Sequence, residues 1–218
     1  MRIIITGVTG MIGEGVLLEC LKDERVTEVL AVSRKSSGHS HPKLTEYLVA
    51  DFLDLKENDP FLQDYDACFF CAGVSSVGMK EMDYYRNTYE TTLAFARAIS
   101  PKEKCSFMYV SGVGTDSSEA GSLNWARVKG KTENELIAMP FKAAFGYRIG
   151  AVVPAEGQKF VLTYYRRLKW IIPIFKILFP KSFSTAKEIA SSMMYFAQHG
   201  NAHPIIHIKD IRKVATLT

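Results

Sequence analysis

The opening of the chain, residues 2–13, constrains its fold more than any other stretch. A short β-branched run at residues 3–6 leads at once into glycines at positions 7, 10 and 13. The run is apolar throughout and too short for a helix, so it indicates a central strand of a parallel sheet. The residues after the glycines carry a broad apolar stripe at helical spacing, with Glu14, Glu19 and Lys22 off that stripe. We predict a strand, a tight turn and a helix start.

Each glycine of this turn has its own physical use. Gly7 lets the chain turn sharply, Gly10 lets a pyrophosphate approach the backbone, and Gly13 lets the helix pack closely on the sheet. The helix N-terminus offers free N–H groups and the positive end of its dipole to an anion. The alternative is a glycine-rich turn that binds nothing. We predict a dinucleotide site that includes Gly7, Thr9, Gly10, Met11, Ile12 and Gly13.

The residues at the end of the second predicted strand bear on the choice of dinucleotide. They lie roughly twenty positions beyond the glycines, where a carboxylate suits the ribose of NAD and an arginine suits the 2′-phosphate of NADP. Ser33, Arg34 and Lys35 occupy this place, with no carboxylate among them. An arginine forms strong charge-assisted bonds to phosphate, so NADP(H) is favoured over NAD(H). The alternative is that Arg34 and Lys35 open a solvated loop.

Further candidate cofactor contacts follow the third and fourth predicted strands. The carboxylate of Asp51 either binds an adenine amino group or caps a helix. The backbone at Ala72 and Gly73 must lie close to a cofactor bound at this edge. Asn87 lies within the next predicted helix. It is either a polar residue of the helix surface or a group that hydrogen-bonds a water molecule or the backbone at the active site. These positions add Asp51, Phe52, Cys71, Ala72, Gly73 and Asn87 to the predicted cofactor site.

Strand and helix patterns alternate along most of the chain. Such an order gives right-handed βαβ units and a Rossmann fold of the α/β class, a doubly wound parallel sheet with helices on both faces. A short tail around Ile211 follows the last strand. The predicted strands cover residues 3–6, 28–33, 44–49, 67–71, 106–111, 141–149 and 204–208, and the later helices cover residues 80–100, 124–138 and 185–198.

Size and charge narrow the class of protein. With 218 residues, 47% of them hydrophobic, residues 1–218 are expected to form one domain around one core. The net charge of +4 is modest and not gathered into a basic run, so no nucleic-acid partner is indicated. Met1 leads straight into the first strand and leaves no room for a signal peptide, so a cytoplasmic location is expected.

The cysteines and histidines do not predict a metal site. Cys68 and Cys71 form a C-x-x-C pattern, but an offset of three along a strand places two side chains on opposite faces. His39 and His41 lie in a flexible polar loop. We expect all four cysteines to be packed thiols and no metal to be bound.

The pattern changes beyond Pro154. Residues 160–180 are rich in aromatic and basic side chains and are too short and too charged to span a bilayer. Three interpretations compete: a substrate-side cap over the cofactor cleft, a surface for a homodimer or protein partner, or a patch on a membrane surface. We favour a cap or interface formed by residues 155–185.

The order of several motif residues resembles that of the extended and atypical short-chain dehydrogenase/reductases. These include the NAD(P)-dependent epimerase/dehydratase-like proteins and the NAD(P)H-binding proteins akin to the Tat-interactive oxidoreductase-like group. The resemblance implies a Rossmann fold, a dinucleotide in the cleft, and a C-terminal part that shapes the substrate side. It covers residues 1–154 and rests on Gly7, Gly10, Gly13, Asp51, Ala72, Gly73, Asn87, Ser111 and Lys129.

The resemblance also implies a reaction centre. In such enzymes a serine polarises the substrate carbonyl, a tyrosine exchanges the proton, and a lysine four residues later lowers the tyrosine pKa and holds the nicotinamide ribose. Ser111 matches the serine and Lys129 the lysine, which makes them the candidate catalytic residues. Trp125 stands at the tyrosine position, and an indole N–H can donate a hydrogen bond but cannot serve as an acid near neutral pH.

This departure leaves two functions open. In the first, the protein is an NADP(H)-dependent oxidoreductase for a small carbonyl or alcohol, with Tyr84, Tyr85, a water held by Ser111, or Lys129 as proton donor. In the second, it binds NADP(H) without turnover as a regulator or interaction protein, Trp125 fills the tyrosine site, and residues 160–180 contact the partner. An epimerase or dehydratase for nucleotide sugars is less favoured, because the C-terminal region is short and that chemistry also needs the tyrosine.

Overall fold

Parallel β-strands form the centre of the protein, whose computed structural model describes residues 1–161 and 183–216. Seven strands make one sheet in which all neighbours are parallel, and two short strands pair separately. The strands are β1 (Arg2–Thr6), β2 (Glu28–Ser33), β3 (Leu44–Leu48), β4 (Ala67–Phe70), β5 (Ser106–Val110), β6 (Ala143–Arg148), β7 (Ala151–Val153), β8 (Phe183–Thr185) and β9 (Ile205–His207).

The strand order of the large sheet is β3-β2-β1-β4-β5-β6-β9. The chain therefore runs outward from β1 to β3, then returns to the other side of β1 and builds the second half from β4. Ligands of open α/β sheets bind at such a reversal, outside the carboxyl ends of the strands. This order confirms the predicted doubly wound fold and points to the crevice between the ends of β1 and β4.

Helices cover both faces of the sheet. Along β1, Ile3 and Ile5 pack into one core cluster together with side chains of the first and later helices, whereas Ile4 packs into a second cluster on the opposite face. The alternation follows from the two-residue period of a strand buried on both sides. The helices are α1 (Met11–Lys22), α2 (Glu81–Tyr85), α3 (Thr91–Ala98), α4 (Asn124–Ala138), α5 (Ala186–His199) and α6 (Ile208–Ala215).

Some predicted elements differ in extent from the observed ones. The helix predicted over residues 80–100 is a continuous run from α2 to α3, joined by a π-helical turn at Arg86–Glu90. The tail predicted around Ile211 is wrong, because Ile211 is a buried residue of α6. The two-stranded sheet of β7 and β8 is not predicted at all, since three-residue strands carry too little pattern to be recognised.

Most of the cap predicted at residues 155–185 lies outside the described residues. Of the aromatic and basic segment, residues 162–180 lie outside the described residues. Thr185 and Glu188 form a capping box at the start of α5, which begins where the helix over residues 185–198 is predicted, with the Glu188 N–H donating to the Thr185 hydroxyl at 3.1 Å. No helix within residues 1–161 and 183–216 is long and apolar enough to cross a membrane.

The cysteines behave as predicted. Cys68 packs on one face of the sheet and Cys71 on the other, and all four cysteines are free. Among the described residues, no group of three or more His, Cys, Asp or Glu side chains is arranged to hold a metal ion.

Candidate functional site

The glycine-rich turn between β1 and α1 packs against the end of β4. Gly7 has a φ of +70°, and a Cβ there would lie 2.6 Å from the carbonyl of Cys71. The Thr6 hydroxyl accepts a hydrogen bond from the Ala72 N–H at 3.1 Å, which joins the two strand ends. A Cβ on Gly13 would overlap the Gly7 carbonyl. The turn can therefore run between β1 and β4 only with glycine at positions 7 and 13.

The N-terminus of α1 opens onto this crevice. Gly10 is its N-cap residue, has no side chain to cap the helix, and accepts the first helical hydrogen bond from the Glu14 N–H at 2.9 Å. Thr9 and Gly10 are exposed, and Met11 and Ile12 are partly buried. The N–H groups of the first turn of α1 have no partner within the helix. Together with the positive end of the helix dipole, they can bind a phosphate.

The end of β2 presents two exposed basic side chains, Arg34 and Lys35. The Ser33 hydroxyl is buried and donates to the Lys35 carbonyl at 2.6 Å, so it is occupied within the turn. The Ser37 N–H and hydroxyl donate to the Glu46 carboxylate of β3 at 2.7 and 2.6 Å. Glu46 thereby fixes the loop that carries the two basic side chains.

Asp51 caps the short helical turn that follows β3. Its Oδ1 accepts the Leu53 N–H at 3.0 Å, and its Oδ2 accepts a bond from Arg86 at 3.1 Å. Of the two alternatives for this carboxylate, the structure therefore contains the capping one. The Phe52 ring is buried against Phe70, with centroids 6.3 Å apart, so its side chain belongs to the core rather than to a binding surface.

The residues that follow β4 line the other side of the crevice. Burial raises the pKa of the Cys71 thiol to about 12, which makes it a packing group rather than a reactive one. Gly73 is exposed, and a Cβ there would meet nothing within 4 Å. Asn87 is exposed on the π-helical turn and its side-chain amide donates to the Asp83 carbonyl at 2.7 Å, which is the surface alternative for this residue.

Ser111, directly after β5, is hydrogen-bonded into the protein. Its hydroxyl lies 2.5 Å from Glu133 Oε1 and 3.2 Å from the Tyr147 carbonyl oxygen, and both of these are acceptors. Arg148 of β6 donates to the same buried carboxylate, most closely at 2.6 Å. Gly146 makes room for it, because a Cβ there would lie 2.6 Å from Glu133 Cδ. The single hydroxyl hydrogen of Ser111 therefore points inward rather than toward the cleft.

Lys129 lies one helical turn before Glu133 on α4. Its Nζ donates to the Ser111 carbonyl at 2.7 Å, so the structure brings these two predicted residues together. Burial lowers the pKa of Lys129 to about 8, against an opposing effect of the Glu133 carboxylate. An amine with such a pKa can hold and release a proton near neutral pH.

Trp125 lies one turn before Lys129 and packs on the loop that follows β5. Gly114 of this loop has a φ of +91°, and a Cβ there would come within 3.1 Å of the indole ring. The indole therefore occupies the space beside the loop, as a packing residue would.

The two tyrosines considered as alternative acids lie on α2. Tyr84 is only 2% exposed, and burial raises its pKa, so it is poorly placed to protonate a substrate. Tyr85 packs its ring against Tyr89 with centroids 4.8 Å apart, and the Lys131 ammonium lies over both rings. Neither arrangement resembles a proton donor poised at the strand ends.

One important residue of the site region escaped prediction. The expectation that Glu14 lies off the buried face of α1 is wrong, since it is fully buried. Its carboxylate lies 2.9 Å from His39 Nε2 and accepts the N–H groups of Lys159 and Phe160, each at 2.7 Å. The chain just before residue 162 is thus anchored to the first turn of the helix that borders the crevice.

Glu133 and Arg148 also escaped prediction. Glu133 follows Lys129 by four positions, which in a sequence indicates an ordinary pair on a helix surface. Its burial depends on Gly146 of a strand thirteen positions later along the chain, and only the fold reveals that contact.

The comparisons with known proteins agree with this fold. The family described as NAD-dependent epimerase/dehydratase matches residues 3–132, more than half of the chain. No curated protein matches the sequence. Because the family match rests on the sequence and not on the geometry, it is independent support for the fold.

Solved structures of similar fold share little sequence with the chain. MoeE5 in complex with UDP-glucose and NAD is 14% identical, with a TM-score of 0.66 over 100% of this chain and 82% of that one. A UDP-glucuronic acid 4-epimerase from Bacillus cereus, in complex with UDP-glucuronic acid and NAD, is 16% identical, with a TM-score of 0.66 over 95% and 77%. An oxidoreductase of the short-chain dehydrogenase/reductase family from Burkholderia thailandensis is 14% identical, with a TM-score of 0.64 over 90% and 85%.

These structures show a common Rossmann fold, and the family match confirms the resemblance inferred from the motif residues. The glycine-rich turn, the strands from β2 to β5 and the lysine of α4 all fall within the matched region. The chain belongs to the NAD-dependent epimerase/dehydratase family.

Proposed function

We propose that the protein binds NADP(H) at the carboxyl edge of the sheet and acts as an oxidoreductase on a small carbonyl or alcohol substrate. The observation that carries this proposal is the turn at Gly7, Gly10 and Gly13, which packs between β1 and β4 and leaves the N-terminus of α1 open. Backbone N–H groups at such a helix end fit a pyrophosphate. When bound, the nicotinamide would supply or accept the hydride.

The preference for NADP(H) rests on the loop after β2. Arg34 and Lys35 are exposed on this loop, and Glu46 is occupied by the two bonds from Ser37. A guanidinium and an ammonium offer positive charge to a 2′-phosphate, and an arginine can bind it with two parallel hydrogen bonds.

The proton would be handled by Lys129 in place of the tyrosine that Trp125 replaces. The amine lies 2.7 Å from the Ser111 carbonyl, and its pKa of about 8 allows exchange of a proton near neutral pH. The Ser111 hydroxyl, whose hydrogen is directed to Glu133, presents its oxygen as an acceptor for a water molecule. Such a water is a second route for the proton.

A second candidate function is binding of NADP(H) without turnover, as a regulator or interaction protein. Two observations favour it: Trp125 cannot serve as an acid, and the Ser111 hydroxyl donates into the protein instead of toward a substrate. In this case the dinucleotide site is the same, and only the chemistry beside it is absent.

Cofactor binding is tested by titrating the purified protein with NADPH and NADH, using fluorescence and calorimetry. Gly10→Asp should abolish binding of both, because the side chain brings a negative charge to the pyrophosphate position. Arg34→Ala should weaken NADPH binding by about 10- to 100-fold, the value of a charged hydrogen bond, and leave NADH nearly unchanged. Arg97→Ala, an exposed arginine of α3, is the matched control.

The outcomes separate the parts of the proposal. Unchanged affinity in Gly10→Asp would overturn the placement of the cofactor, and equal losses for NADPH and NADH in Arg34→Ala would overturn the phosphate contact.

Turnover is tested with a panel of carbonyl compounds, followed at the nicotinamide absorbance. Oxidoreductase activity that falls sharply in Lys129→Met supports the proposed proton route. Tight NADPH binding without turnover of any compound supports the regulator instead.

A further inference from the structure

A second feature lies beside the cofactor crevice, at the carboxyl ends of β5, β6 and β9. It is an open pocket of about 340 Å³ lined by Val113, Arg148, His207, Ile208 and Lys209. Three of these five side chains are basic. Arg148 and His207 are register partners on adjacent parallel strands, so their side chains project from the same face of the sheet.

Hydrogen bonds to Glu133 and Ser117 fix the guanidinium of Arg148. Its Nε and one terminal nitrogen donate to Glu133, and that terminal nitrogen also bonds to the Ser117 hydroxyl at 2.5 Å. The other terminal nitrogen of Arg148 has no hydrogen-bond partner among the described residues, and it is not fully buried. The guanidinium is thus fixed in orientation while two of its N–H donors remain available for a ligand.

The other two basic residues flank this arginine. The His207 ring lines the pocket and is exposed, and an imidazole in either tautomer has an N–H donor. The Asp210 carboxylate is occupied by the His207 N–H at 3.0 Å. Lys209 is exposed and forms no ion pair with any residue that the structure describes, so its charge is available in the pocket.

The pocket is linked to the proposed reaction centre through one carboxylate. Glu133 Oε1 accepts bonds from both the Ser111 hydroxyl and Arg148, so the guanidinium and the serine are separated by a single side chain. Val113, two residues beyond Ser111, and Ile208 supply apolar walls between the basic groups. The volume lies at the small end of the range for ligand sites, about 300 to 1,000 Å³.

We propose that this pocket binds a carboxylate or phosphate group of the substrate, with Arg148 as the central contact and His207 and Lys209 beside it. The inference rests on the proposed function, because it assigns the anion to the substrate of that reaction. It defines the substrate class as a small anionic carbonyl or alcohol compound. The affinity of the pocket for an anion is a property of its own residues and can be measured without any turnover.

The test is an NMR titration of the ¹⁵N-labelled full chain at constant ionic strength. Inorganic phosphate and acetate are used separately as probes, and each titration is repeated on Gly10→Asp, in which the dinucleotide site is blocked. We expect saturable shifts at the backbone signals of Val113, His207 and Lys209 in both proteins. The probe with the higher affinity identifies the anionic group as phosphate or carboxylate.

Variants connect the binding to the pocket. Lys209→Glu should weaken the better probe by about tenfold, because it replaces an attractive charge with a repulsive one. Lys213→Glu makes the same charge change on an exposed residue of the same helix and should change the affinity less than twofold. His207→Asn keeps a good N-cap for α6 while removing the ring, and should weaken binding without unfolding the helix.

Several results would overturn the proposal that this pocket binds an anion. Shifts that never saturate, or equal losses in Lys209→Glu and Lys213→Glu, would show only a general attraction of anions to a basic surface. Saturable shifts confined to the glycine-rich turn and lost in Gly10→Asp would place the anion in the dinucleotide site instead. Saturable binding in the pocket, together with a failure of NADPH to bind, would leave the anion site standing and overturn the proposed function.

Discussion

Replacement of Glu133 by glutamine tests the buried ion pair at the centre of the site. Glutamine keeps the shape of the side chain and an oxygen acceptor for Ser111, but it removes the charge that faces Arg148. The carboxylate is fully buried and the arginine side chain is 15% exposed, so water can replace only part of the lost interaction. Removal of one partner from a buried pair costs about 3 to 5 kcal/mol. We expect the lower end of that range for Glu133→Gln, about 3 kcal/mol.

The free energy of unfolding is measured by urea titration, with the transition followed by circular dichroism and by tryptophan fluorescence. The variant should unfold at lower urea concentration with an unchanged slope, since the surface exposed on unfolding stays the same. For a chain of this length the loss corresponds to a decrease in melting temperature of roughly 6 to 12 °C.

Glu135→Gln is the matched control, because it makes the same chemical change at an exposed position of the same helix. It should alter the free energy of unfolding by less than about 0.5 kcal/mol. A stability of Glu133→Gln within about 0.5 kcal/mol of the natural protein would refute the reasoning. The contact with Arg148 would then contribute no more than a surface pair.

Two further predictions concern the same edge of the sheet. Burial lowers the pKa of Lys129 from 10.5 to about 8 in the folded protein, so between these pH values the unfolded chain binds more protons and the free energy of unfolding should rise with pH. Lys129→Met should remove that rise when unfolding is measured from pH 7 to 11. An identical pH profile for the variant and the natural protein would contradict the burial of the amine. Gly13→Ala should cost about 1 to 3 kcal/mol and weaken NADPH binding, because the added methyl group overlaps the Gly7 carbonyl. Gly73→Ala, where the methyl group meets nothing within 4 Å, should cost much less in the same unfolding assay, and equal costs would exclude the packing explanation.

The fold was accessible from the sequence because its signals are local. The short apolar run before Gly7, the helix after Gly13 and the later alternation of strands and helices each depend on neighbouring residues. Parallel order and handedness then follow from the general rules for βαβ units. The family match over residues 3–132 confirms this inference where the motifs are densest.

The buried charges were not accessible because their partners are distant in sequence. Glu14 is buried only because Lys159 and Phe160, some 145 positions later, donate their N–H groups to it. Before the fold is known, a glutamate among apolar residues is assigned to the solvent side of a helix. Glu133 is a second case of the same kind, since its arginine partner lies on the next strand.

Other ambiguities have chemical rather than topological causes. A carboxylate such as Asp51 serves equally well as a cap or as a ligand for an adenine amino group, and the residue type does not distinguish the two. The last strand and α6 meet at Ile208 without a glycine or proline to separate them, so the sequence predicts a tail where the structure has a helix.

The contact between Gly146 and Glu133 has a consequence for how sequences of this kind can diverge. Any side chain at position 146 would occupy the space of the Glu133 carboxylate. A shorter residue at position 133 would leave Arg148 without its counter-ion. Neither position can therefore change first without a loss of stability, and we expect the two to be exchanged together, or kept together, among the descendants of a common ancestor.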